Sequence, residues 1–99
     1  MVIEELREIL KPLNNFPLEK NSTIPIFFEG TKKGFKYAKI LDFDNKLVKF
    51  KPADSRVVIH KRKCVKVITD IEKFKVLWLL VFKMLKKGVI SFKKLEELR

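Results

Sequence analysis

The chain has 99 residues, 46% of them hydrophobic and 35% charged, with three Gly, four Pro and one Cys. That length suits one domain with one core, and the composition excludes a disordered, collagenous or disulfide-stapled chain. The formal net charge of +11 is unevenly placed: residues 1–29 hold three Lys/Arg against five Asp/Glu, residues 30–66 twelve against three, and residues 67–99 eight against four. A basic excess gathered in the middle draws polyanions such as nucleic acids or anionic lipid, although a lysine-rich surface that only aids solubility is the plainer alternative.

In chain order, Val2, Ile3, Leu6, Ile9, Leu10 and Leu13 recur at helical spacing. Glu4 and Glu5 suit the positive end of a helix dipole, and Pro12 stops the helix near Lys11. Residues 13–23, LNNFPLEKNST, are rich in turn formers and are expected to cross the surface. The start of the chain lacks the basic and continuous apolar stretches of a signal peptide. With a single cysteine, this points to a reducing cytoplasm, or a host's cytoplasm for a viral protein.

The middle reads as short strands. IPIFFEG and GFKYAKILDF form a hairpin across the basic turn GTKKG, and Asp44-Asn45 marks the next turn. KLVKFK alternates Val48 and Phe50 with Lys49 and Lys51, so one side faces a core and the other presents ammonium groups to water. RVVIHK and CVKVIT complete about five strands, with Val65 and Val67 on the side opposite Cys64, Lys66 and Ile68.

At Asp70, a helix cap, the period changes, and a helix is predicted over 71–87 with Gly88 as its stop. Its centre, VLWLLVF, is apolar all round, which predicts burial on several sides and an oligomer interface built from Val76, Trp78, Leu80 and Val81. Ser91 caps a final short helix, FKKLEELR. The fold class is therefore α+β: an N-terminal helix, an antiparallel sheet or small barrel, then a long and a short helix. Residues 1–69 and a helical extension, 70–99, make one domain. The longest apolar run, 76–82, is too short to span a membrane, which needs roughly 20 residues.

Catalytic chemistry finds little support. His60 is the only imidazole and has no partner beside it in the sequence, and Asp42 and Asp44 flank a turn. Cys64 lies among lysines but reads as a packing residue. No phosphate loop, metal cluster or nucleophile motif is present, so neither a cofactor nor a small-molecule substrate is implied and a binding protein is expected rather than an enzyme. The helix, glycine and helix around Gly88 parallel a DNA-reading helix pair, yet the second helix would face DNA with two glutamates.

A helix followed by five short strands, with ILDFDNKLVKFK and then RVVIHKRKCVKVI, resembles the Sm-like family, especially its bacterial Hfq branch. Over residues 3–69 the resemblance implies a bent five-stranded barrel, a hydrophobic-acidic turn at Phe43-Asp44, and a basic joint at His60, Lys61, Arg62 and Lys63. It also implies ring assembly by edge-strand pairing and RNA bound near the pore. The chain departs from the pattern in having Ala38 or Lys39 where the second strand usually has glycine, and in its helical tail. In style, the Lys- and Phe-rich chain is similar to small proteins of hyperthermophilic archaea and their filamentous viruses.

The expected function is a nucleic-acid-binding module, for RNA rather than DNA and single-stranded RNA in particular. Residues 60–63 would grip phosphates, Lys49, Lys51 and Lys66 would extend the positive surface, and Lys32 and Lys33 would add a second contact. Phe35 and Tyr37 are read either as base-stacking or as packing residues. The alternative is a structural or interaction protein that forms a homo-oligomer through helix 71–87.

Overall fold

The computed structural model describes residues 2–28, 31, 34–91, 93 and 94. Its elements run α1 (Val2–Ile9), β1 (Leu10–Pro12), a 3-10 turn (Leu13–Asn15), β2 (Thr23–Phe27), β3 (Lys36–Phe43), β4 (Leu47–Pro52), β5 (Val58–Lys61), a second 3-10 turn (Arg62–Cys64), β6 (Lys66–Ile68) and α2 (Ile71–Lys86). The fold is α+β. Six antiparallel strands form one curled sheet in the order β1-β6-β2-β3-β4-β5.

The sixth strand is β1, where the helical pattern predicts continuation. Leu10, Lys11 and Pro12 pair instead with Ile68, Val67 and Lys66. The helix end is secured by Thr69, whose backbone N–H and hydroxyl both donate to the Ile9 carbonyl, at 2.8 and 3.1 Å. Proline, which has no N–H to give a ladder, is tolerated in a strand at the sheet edge. The stretch expected to cross the surface is also partly internal: Leu13 is fully buried, and Phe16 and Leu18 pack against the core inside the curl.

The alternation read from the sequence decides the inside of that curl. Ala38 and Ile40 of β3 and Val48 and Phe50 of β4 are buried with Ile26, Val65 and Val67. A second apolar cluster lies on the other side of β2 and β6, where Leu6, Ile9, Phe27, Ile68, Phe74, Leu77 and Val81 join the two helices to the sheet. The register of β3 on β4 shifts between Ile40 and Asp42. A bulge of this kind bends a strand without glycine, which is how β3 curves with Ala38 and Lys39 in its middle.

The predicted turn and cap chemistry is present at Asp44 and Asp70. Asp44 Oδ1 accepts from the N–H groups of Lys46 and Leu47, both at 2.7 Å, and Asp70 accepts from Lys73 N at 3.1 Å to start α2. At the far end of α2, Val89 N donates to Met84 O and Gly88 N to Leu85 O, with Gly88 at φ +73°. That pairing is a Schellman stop. Ser91 Oγ accepts from Lys94 N at 3.3 Å, as a cap would. The short helix predicted beyond it falls mostly outside the described residues.

The centre of α2 is apolar all round but buried on one side only. Phe74, Leu77 and Val81 face the core, with Trp78 half-buried between Phe27 and Phe74. Trp78 also fixes the end of the β2–β3 connection. A Cβ on Gly34, which sits at φ +110°, would lie 3.1 Å from the indole ring. The connection is tied from inside by buried Thr31, whose hydroxyl donates to Phe28 O at 2.7 Å.

Gly34→Ala is therefore expected to cost about 1–3 kcal/mol from backbone strain alone, with crowding against an indole that its neighbours hold in place. Gly88→Ala, with φ +73° but nothing within 4 Å of the new Cβ, should cost only about 1–2 kcal/mol. Urea denaturation of the two variants checks the order: Gly34→Ala must be the less stable.

Candidate nucleic-acid interface

The basic residues that the sequence marks as candidates divide into three groups. Lys49, Lys51 and Lys61 are exposed on the outer face of the sheet, alternating with the buried Val48, Phe50 and half-buried His60. Lys39, absent from those candidates, belongs with them: it is exposed between buried Ala38 and Ile40 and pairs directly with Lys51. The same period-2 pattern that marks Lys49 and Lys51 runs through YAKI, so the signal for Lys39 is present in the sequence. Tyr37, two residues earlier on the same face, is 48% exposed.

His60, Arg62 and Lys66 serve the structure instead. His60 points its ring edge-on toward Phe28, with centroids 6.0 Å apart. Arg62 is half-buried, and its guanidinium donates to backbone carbonyls of three separate positions: Leu13 at 2.8 and 3.3 Å, Phe16 at 3.1 Å and Asp44 at 2.7 Å. It also lies 5.4 Å from the centre of the Phe43 ring. Those donors are already committed to the chain's own backbone. Lys66 is 1% exposed, and its ammonium donates to Lys63 O at 3.1 Å. It does not extend the positive surface, because residues 65–68 are buried in succession between β1 and β2 rather than alternating.

The third group is displaced or undescribed. Lys63 is exposed on the second 3-10 turn, beyond the end of β5. With Lys46, Lys61, Asn14, Asn45, Asp44 and Leu47 it lines an open groove of about 500 Å³. Lys32 and Lys33 lie outside the described residues.

Electrostatics favour the strand face. The ion pairs among the described residues are Lys20–Asp42 at 3.3 Å, Lys73–Glu8 at 3.7 Å and Lys75–Glu72 at 3.9 Å. None engages Lys39, Lys49, Lys51 or Lys61. Asp42, in register with Lys49, has its carboxyl held below the ordinary value by the Phe43 N–H first and by Lys20 next. Asp44 is likewise lowered, first by the N–H of Leu47 and then by that of Lys46.

Of the expected oligomer interface, Val81 is fully buried and presents no outer surface, and Trp78 is half-buried against the chain's own core. Val76 and Leu80 are exposed, and Leu79 and Phe82 join them. The edges that the Sm-like resemblance would use for a ring are β1, three residues ending in Pro12, and β5. Among the described residues no helix is long and apolar enough to cross a membrane.

A curled, six-stranded antiparallel sheet with a helix at each end, and with lysines on its outer face, defines a small-barrel-like α+β protein. No family model, curated protein or solved structure matches the chain.

Two outcomes follow from the roles of Arg62 and Asp44. Arg62→Ala should lower stability by about 1.5–3 kcal/mol in chemical denaturation, and Arg62→Lys should recover little, since one ammonium cannot span carbonyls that a planar fork reaches. Asp44 has a depressed carboxyl, so its contribution is full above the ordinary carboxylate range and is lost as pH falls through the lower folded value. The melting temperatures of the wild type and Asp44→Ala should differ near neutrality and converge in acid.

Proposed function

We propose that the outer face of β3, β4 and β5 binds nucleic acid through its phosphates. The observation that carries this reading is the direct cross-strand pairing of Lys39 with Lys51 on a face that also exposes Lys49 and Lys61. Like charges placed opposite one another across strands are destabilising, and a bound polyanion turns that repulsion into attraction. Asp42 offsets only part of this charge, being already engaged by Lys20.

The ligand proposed is single-stranded, RNA by the resemblance to Sm-like proteins. Tyr37 supports the single-stranded form: it is exposed next to the Lys39–Lys51 pair, and Phe35 braces it edge-on at 5.7 Å. A ring held in this way offers a stacking surface to an unpaired base.

The test is fluorescence anisotropy with a labelled single-stranded RNA across a salt series. The wild type should bind with an affinity that falls steeply as salt rises. Lys39→Glu with Lys51→Glu should weaken binding at least tenfold and flatten the salt slope by about 0.7 for each phosphate that is no longer neutralised. Arg62 is left intact because its loss would disturb the fold. Wild-type binding indifferent to salt, or equal affinity in a folded double variant, overturns the reading.

A further inference from the structure

The outer surface of α2 remains without a role in nucleic-acid binding. Val76 and Leu79 are 65% and 68% exposed, and Leu80 and Phe82 are 46% and 41% exposed. Just past the helix stop, Val89 is 69% exposed. Neighbouring apolar side chains on one convex face are more than the scattered exposure common on soluble surfaces.

Lysines are interleaved with them. Leu79 has Lys75 one turn before it and Lys83 one turn after, and Lys86 and Lys87 follow, all exposed. The Lys86 ammonium lies 4.8 Å from the centre of the Phe82 ring, so cationic and apolar groups share one surface. Glu72 is the one acid on α2, and it is already 3.9 Å from Lys75.

This combination selects among occupants. Two copies packed antiparallel about Leu79 would set Lys75 of one beside Lys83 of the other, leaving Glu72 as the only source of opposite charge. A polynucleotide would answer the lysines and leave Val76, Leu79 and Leu80 in water. An anionic lipid surface answers both groups. Apolar side chains enter the boundary between headgroups and acyl chains, while lysine stems lie along it with their ammonium groups among the phosphates and carboxylates.

We propose that α2 docks this protein flat on anionic membranes, with Val76, Leu79, Leu80 and Phe82 inserted and Lys75, Lys83, Lys86 and Lys87 paired to lipid headgroups. The docking is peripheral: at 16 residues the helix is about 24 Å long and lies along the surface.

The experiment is co-sedimentation of the full chain with phosphatidylcholine vesicles prepared with and without phosphatidylserine, at moderate salt. The wild type should pellet with the phosphatidylserine vesicles and stay in solution with the others. Leu79→Glu and Val76→Glu change exposed positions, so both variants should melt close to the wild type while losing vesicle affinity about tenfold or more. Leu79→Ser, which adds no charge, should lose less than Leu79→Glu.

Three results would overturn the proposal. The protein stays in solution with both vesicle types; it pellets equally when Leu79 is Glu but not when Lys39 and Lys51 are Glu; or vesicle-free sedimentation equilibrium finds a dimer that Leu79→Glu makes monomeric. The second assigns the attraction to the sheet face and the third assigns the helix to a second copy. The first and third results leave RNA binding by the sheet untouched, and the anisotropy series tests it separately.

Discussion

The guanidinium of Arg62 joins parts of the backbone that the sheet alone leaves unconnected. Leu13 and Phe16 belong to the segment that follows α1 and β1, Asp44 to the turn between β3 and β4, and Arg62 itself to the turn between β5 and β6. β1 and β5 are opposite ends of the strand order, so these bonds bridge the open side of the curl. The backbone adds to the closure: Leu13 N donates to Val65 O and Arg62 N to Lys46 O, at 2.9 and 2.8 Å. Carbonyls in irregular segments need donors, and a charged planar donor satisfies several at once. Closing this end holds Leu13 in the core and fixes where β5 ends, which in turn aims Lys61 and Lys63.

This arrangement changes the meaning of the basic stretch 60–63. Four consecutive charged or titratable residues suggest four equivalent contacts, yet the end of β5 and the 3-10 turn that follows it give each a different environment. Lys61 and Lys63 reach solvent, His60 packs on Phe28, and Arg62 turns inward. Composition alone reports how much charge a segment carries. Backbone direction decides which of it a ligand can meet, and here the cationic surface lies mainly on the strands, with Lys39 and Lys51 face to face.

The parts legible in the sequence are those written in a clear period. Alternation in KLVKFK and YAKI marks inside and outside, Asp44 and Asp70 mark a turn and a cap, and Gly88 marks a stop. β1 is hidden because three residues are too few to show alternation, and Leu10 fits the preceding helical stripe equally well. Lys66 departs from its expected place for a related reason: β6 has sheet neighbours on both sides and buried surroundings on both faces, so a period-2 rule for half-exposed strands does not apply to it. VLWLLVF has no polar residue to mark an outer side, and only packing against Leu6, Ile9 and Phe27 settles which residues turn inward.

With 23 Lys and Arg against 12 Asp and Glu, the chain repels itself, and the repulsion is greatest where lysines pair across strands. Burial offsets it: Phe27, Phe50, Phe74 and a run of aliphatic residues in two clusters supply the cohesion that permits so many lysines on the outside. The two candidate surfaces then differ in the scaffold that carries the charge: paired strands on one side, a single helix on the other. On β3–β5 the lysines stand on paired strands, with Tyr37, Leu47 and Ile59 exposed among them. On α2 they are threaded through aliphatic side chains on a convex helix, which suits a fluid anionic surface. The two proposals assign different partners to similar charge because the groups around it, and the shape that carries it, decide what must be covered when that charge is met.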